Sequence, residues 1–203
     1  MEKVADESGG SIRAFNLALN DSDGFGAFHK IDTVNTNTSR ANGNPGASSI
    51  FKANGKYEVE DYAQIPIEVQ FVTGRNLIEE EGFQISNLIW MDVQGAEILV
   101  LDGLGENLNK VDFIYVEPTL KEVYSGQILA PAVLKLLKRD FYCYKILNLG
   151  LWQFDGLSVN KKYRSLHLIL RDLTIKMSLK SNLGVGIKLG KFLLELTFPR
   201  PLG

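Results

Sequence analysis

Between residues 85 and 140 the chain repeats one grammar: an apolar strand ending in an acid, then an amphipathic helix. ISNLIWMD (85–92) ends in Asp92, and GAEILVLDGLGENL (95–108) places Ile98, Leu101 and Leu108 on one helical face. VDFIYVE (111–117) ends in Glu117, and QILAPAVLKLLKRD (127–140) carries Leu129, Val133, Leu136 and Leu137 as its buried stripe. Strands that are apolar throughout need cover on both faces, and alternation with helices supplies it in a parallel sheet. The expected class is therefore α/β with a mostly parallel sheet. FYCYKIL (141–147) and SLHLIL (165–170) follow without a helical pattern between them, which predicts a terminal antiparallel pair.

Upstream, SIRAFNLAL (11–19) reads as a strand that stops at the turn formers Asn20 to Gly24, and GFGAFHKI (24–31) as a second strand forming a hairpin with it. IPIEVQFVT (65–73) alternates like a half-buried strand, and RNLIEEEGF is a short helix ending near Gly82. Residues 32–55 are mostly Asn, Thr, Ser, Gly and Ala, too poor in apolar area to order themselves, and are expected to be a long loop. Loops of this length are functional lids or simply mobile, and the residues do not choose between the two.

Composition removes several function classes. With 203 residues, 45% of them hydrophobic and 23% charged, the chain is long enough for one core and has an ordinary globular balance. A net charge of −2 and the absence of a long basic stripe leave no footprint for nucleic acid. Apolar runs such as LIWM and FIYV are too short to span a membrane. The N-terminal decapeptide has no apolar stretch of the secretory kind, so a cytoplasmic location is expected and the triplets at Asn20 and Asn37 are read as coincidental. The single Cys143 allows no internal disulfide and is expected to be a buried, inert thiol. From Arg171 onward six basic residues face two acids, which sets a basic tail (173–203) apart from a core of residues 1–172.

Ligands of open parallel sheets bind beyond the carboxyl ends of the strands. That places Asp92 and Glu117 first among candidates for catalysis. Glu97, in the first turn of the following helix, can point into the same cleft. It can equally serve only the helix dipole, as Asp92 can serve only backbone N–H groups of its turn. Gly95 lets the backbone bend sharply or approach a ligand, and Gln94 offers an amide that donates and accepts. His29 sits beside the long loop and can act on a substrate if that loop folds over, whereas His167 alternates with Leu166 and Leu168. For both, a structural or solvent-facing role is the plainer reading, and two isolated histidines make no metal site. Trp152, Phe154, Tyr142 and Tyr144 form an aromatic cluster able to stack on a sugar ring. Core packing is the alternative, preferred for Tyr142 and Tyr144 and left open for Trp152.

The run NLIWMDVQGAEILVLDGLGENL, then VDFIYVEPT and VLKLLKRDFYCYKI, resembles the FkbM-type methyltransferase family. The family's pattern is a strand, Lys-x-Asp-x-(Glu/Gln)-Gly-x-Glu, a helix and a strand ending in Val-Glu. Asp92, Gln94, Gly95 and Glu97 match it, while Trp90 stands where Lys is common. FNLALNDSDG resembles the family's third strand, and the likeness covers roughly residues 11–147. The resemblance implies a partial class I (Rossmann-like) sheet and S-adenosylmethionine as cofactor. It also implies O-methylation of a small-molecule or glycan acceptor. On that basis Asp92, with Glu117 second, is the base or orienting carboxylate. Gln94, Gly95, Glu97 and His29 face the acceptor, and Ala18, Leu19 and Asp92 face the cofactor. A homo-oligomer is compatible with this reading.

The family's first strand, its Gly-rich turn and its ribose-binding acid are not found before Ser11, and neither GLGENL (103–108) nor GVGIKLG (184–190) replaces them. Two further readings therefore stand beside the transferase. One is a non-catalytic partial methyltransferase fold that binds a partner or ligand, or an inactive fragment. The other is a hydrolase using Asp92 and Glu117 as paired carboxylates.

Overall fold

In a computed structural model of the chain, the described residues are Gly9, 12–85 and 87–163. The elements run β1 (Ala18–Asn20), β2 (Gly24–Ile31), β3 (Gln64–Thr73), α1 (Gly74–Glu80), β4 (Leu88–Met91), α2 (Glu97–Leu104), β5 (Phe113–Val116), α3 (Ala130–Leu137), β6 (Phe141–Leu147) and β7 (Asp155–Asn160). The described residues up to Lys162 belong to one compact unit. The strand proposed at 165–170, His167 and the basic tail lie outside the described residues.

The repeated strand–helix grammar is present, in shorter elements than the periodicity drew. Met91, Ile114 and Val116 from the strands meet Val100, Leu101 and Leu104 of α2 and Val133 and Leu137 of α3 in one buried cluster. Leu101, Ile114, Val116 and Val133 are completely excluded from water, the largest favourable contribution a domain of this size has. Leu129 and Leu136 are half-buried at the margin of that stripe. Pro131, in the first turn of α3, explains why the helix starts at Ala130 rather than at Gln127. Thr73 caps α1 by accepting from the Asn76 amide at 3.2 Å.

Two expectations about the sheets are corrected, and one strand is added. The strands make two mixed sheets: β1-β3-β2 and β4-β5-β7-β6. Only β1–β3 and β4–β5 are parallel, while β2–β3, β5–β7 and β6–β7 are antiparallel. β1 and β2 do not form a hairpin, because β3 lies between them and presents Phe71 to both Ala18 and Gly24. The Asp23 carboxylate pins this arrangement by accepting from the Thr73 amide at 2.6 Å. The antiparallel partner of β6 is Asp155–Asn160, a segment whose Asp, Gly, Ser and Asn content reads as a turn. Tertiary pairing overrides that composition. β7 sits between β5 and β6, and Asn160 donates its amide to the carbonyls of Asn109 and Val111 at 2.7 and 2.8 Å. Cys143 is exposed on β6 rather than buried, at the rim of a pocket that it lines with Leu134 and Leu137 of α3.

The 32–55 segment is ordered by polar bonds rather than by apolar burial. Bridges link Asn37 to Asp61, Ser49 to His29 and Ala53 to Tyr124. Thr38 and Asn44 donate to the carboxylate of buried Glu60, the latter at 2.7 Å, and the Glu60 side chain also accepts from the Tyr62 hydroxyl at 2.7 Å. No described helix is long and apolar enough to cross a membrane.

Candidate functional site

β4 and β5 run parallel with Met91 opposite Val116, so Asp92 and Glu117 follow directly from the ends of neighbouring strands. Both line a cavity of about 170 Å³. Its remaining walls are Gln94 and Gln153, the aromatic side chains of Tyr57 and Tyr62, and Arg40, Asn44, Gly46, Ala47 and Glu60. The polar loop thus folds onto the strand ends and closes the site from one side.

The strand-to-helix turn that carries Asp92 is tightly specified. Gln94 takes φ +49° and Gly95 φ +97°, a conformation that strains a residue with a Cβ by roughly 1 kcal/mol. A Cβ on Gly95 would stand 2.9 Å from the Gln127 side chain, so glycine is required here on two grounds. The Ser49 hydroxyl donates to the Gln94 carbonyl at 2.8 Å, tying the loop to this turn. The Gln94 amide nitrogen donates to Asp92 Oδ1 at 2.6 Å, and its oxygen lies 3.0 Å from the Tyr124 hydroxyl. Glu97, 1% exposed, lies under the turn and accepts from the Gly95 amide at 3.1 Å, while its Oε2 finds no partner.

Electrostatics follow from this crowding of acids. Burial pushes the Glu97 carboxyl up to about 7, with the negative charges of Asp92 and Glu117 adding to the shift. Glu117 is also raised, by burial first and then by Asp92 and Asp155, against a hydrogen bond donated by Gln153. Glu60 goes the other way. Burial alone would raise it, but the donors Thr38, Tyr62 and Asn44, together with the Arg40 guanidinium at 3.7 Å, hold it below its ordinary range. Burial raises the Tyr62 and Tyr124 hydroxyls, so both stay protonated near neutrality. The site therefore sets a carboxyl held low, Glu60, near two that are pushed up, Glu117 in the wall and Glu97 beneath it.

The structure brings Asp92, Gln94 and Glu117 together at the cavity and sets Gly95 and Glu97 beneath it. His29 is not among the lining residues. Its backbone exchanges hydrogen bonds with Ser49 at 2.7 and 3.2 Å, so it anchors the loop instead. Ala18 and Leu19 lie on β1, at the edge of the other sheet and outside this cavity. Of the aromatic cluster, Trp152 packs edge-on against Tyr57 at 5.0 Å and lies under the Lys121 ammonium, while Phe154 is buried. Tyr142 and Tyr144 are half-buried on β6 rather than in the core. Arg40, Asn44, Tyr57, Glu60, Tyr62 and Tyr124 were not expected in the site. The signal for Tyr57, Glu60 and Tyr62 was the run YEVEDY (57–62), aromatic and acidic immediately after a polar loop; Arg40, Asn44 and Tyr124 had none. Among the described residues no cluster of His, Cys, Asp and Glu could hold a metal ion.

An α/β domain with an Asp-x-Gln-Gly-x-Glu turn at the end of one parallel strand and Val-Glu at the end of the next has the anatomy of a group-transfer enzyme. The sequence profile of the Methyltransferase FkbM domain matches residues 6–144, and the chain belongs to this methyltransferase family. It is 44% identical over 72 residues to the 2-O-methyltransferase NoeI of Sinorhizobium fredii (strain NBRC 101917 / NGR234), an alignment covering 36% of this chain and 30% of that relative. No solved structure matches the chain at a significant level.

Proposed function

We propose that the chain is an S-adenosylmethionine-dependent O-methyltransferase that methylates a hydroxyl of a small molecule or glycan. The observation that carries this reading is the convergence of Asp92 and Glu117 from adjacent parallel strands on one polar, aromatic-walled cavity in a member of a methyltransferase family. The relative's printed name, a 2-O-methyltransferase, supports a hydroxyl acceptor. The mixed four-stranded sheet, with its parallel pair bridged by α2, is compatible with a Rossmann-like arrangement.

The donor set fits the charged end of the cofactor. Asp92, Glu117 and Glu60 outnumber the one cation, Arg40, and the faces of Tyr57 and Tyr62 attract positive charge. A volume of about 170 Å³ admits that end and the reacting hydroxyl, but not a whole nucleoside. Ala18 and Leu19, on the edge strand β1, are the residues proposed for the nucleoside part. When bound, the cofactor supplies an electrophilic methyl group on a positively charged sulfur.

The chain's own work is orientation and proton removal. Asp92, held by the Gln94 amide, accepts the acceptor's hydroxyl proton and aligns its oxygen; Glu117, fixed by Gln153, binds a neighbouring hydroxyl. The loop from Thr38 to Ala47 and the Tyr57 ring exclude water from one side. Asp92→Asn should lower transfer by about 10²- to 10⁴-fold while calorimetric binding of S-adenosylmethionine is unchanged. Unchanged turnover would remove Asp92 from the chemistry. Failure of the wild-type chain to bind the cofactor would favour the partial fold that acts only as a binding module.

A further inference from the structure

The Gln94 amide is committed within the protein, which changes what it can do for a substrate. Its nitrogen donates to Asp92 at 2.6 Å and its oxygen faces the Tyr124 hydroxyl at 3.0 Å. The carboxylate only accepts and so takes the amide's NH2 end, while a hydroxyl that donates to the oxygen at the other end holds the side chain in that place. Tyr124 is suited to that task. It is 1% exposed, its ring stacks on Tyr62 at 6.2 Å and 12°, and its hydroxyl is shared with the Ala47 carbonyl at 2.8 Å. Its own backbone amide is held by Gln127 at 2.6 Å, and Gln127 is the side chain packed against Gly95. The left-handed backbone of Gln94 is clamped separately by Ser49.

Resting on the reading of Asp92 as the base, we propose that Tyr124 is a positioning residue for methyl transfer: its hydroxyl orients the Gln94 amide, which in turn holds the Asp92 carboxylate toward the acceptor. Gln94 is then part of the base's support rather than a free substrate-binding group. Neither residue touches the reacting atoms in this scheme. Their effect belongs in kcat, not in acceptor or cofactor affinity.

The test is a double-mutant cycle with Tyr124→Phe and Gln94→Ala in the full chain, read as kcat, KM and cofactor binding. Tyr124→Phe keeps the ring stacked on Tyr62 and should lower kcat about tenfold with KM changed less than about twofold. In the Gln94→Ala background the same substitution should change kcat by less than about twofold, because the hydroxyl would have nothing left to orient. Independent, multiplicative losses would overturn the proposal and leave Tyr124 a loop-packing residue. A second measurement does not need activity: the Gln94 side-chain amide resonances should shift and exchange faster with water in Tyr124→Phe. If they stay put, Tyr124 does not hold the amide and the proposal falls, whatever the turnover. A wild-type chain that transfers no methyl group would instead sink the functional reading, and this inference with it.

Discussion

The four-stranded sheet and the three-stranded sheet with its loop are built by opposite means. The first gains its order from apolar burial. Every residue of the cluster among β4, β5, α2 and α3 is nearly or fully excluded from water. The second exposes half of β3, including Ile65 and Ile67 at 49% and 42%, and its attached loop is held by hydrogen bonds to Glu60 and to backbone. Both supply one face of the same cavity. Asp92 and Glu117 stand at the strand ends of the rigid sheet, whereas Arg40, Asn44, Gly46 and Ala47 stand on the polar loop. Such a division separates chemistry from recognition, since a polar-tied loop can change its side chains without disturbing the core.

Breaking each region should cost differently. Leu101→Ala, in the core, should lower unfolding free energy by about 2–5 kcal/mol in a denaturant titration. Ile65→Ala, on the exposed strand, should stay within about 0.5 kcal/mol. Equal losses would mean that the two sheets are not differently built.

Glu97 sharpens the comparison through pH. Its folded-state value of about 7 lies above its ordinary 4.5, so the folded state binds the extra proton in that window. The stabilisation is fully present below the unfolded value and is lost as pH rises through about 7, on the order of 3 kcal/mol in all. Thermal melts from pH 4.5 to 8 should therefore fall more steeply for the wild type than for Glu97→Gln. Parallel curves would show that Glu97 stays ionised in the fold.

Glu60 has the opposite sign, and its loop should respond most gently. Its folded value lies below the ordinary one, so its contribution is present above the usual carboxylate range and lost in acid. Glu60→Gln should cost about 1–2 kcal/mol at pH 7 and raise the acceptor KM several-fold with little change in kcat. A fall in kcat alone would place the loop in the chemistry instead of in recognition.

Periodicity located the elements that make the core, because apolar spacing is a local property. It found β4, β5, α2, α3 and β6, and strand ends alone nominated Asp92 and Glu117. It missed β7, where DGLSVN is made of turn formers and is held only by neighbours on both sides. It set β1 against β2, since adjacency in sequence suggests a hairpin and nothing local reveals that β3 will separate them. It also read the segment 32–55 as unable to order itself, an inference from apolar area that omits the buried acceptor at Glu60.

The sequence by itself determined the parallel strand–helix repeat, the acids at its ends and the family, all encoded in contiguous residues. Only the tertiary structure decided that the sheets are mixed, that Glu60 organises the loop, that Tyr57 and Tyr62 wall the cavity, and that Tyr124 reaches Gln94 behind it. Those outcomes depend on contacts between residues far apart in the chain, such as Tyr124 with Ala47 and Ser49 with Gln94. Such pairings are fixed by packing geometry, and no local pattern of residues specifies them.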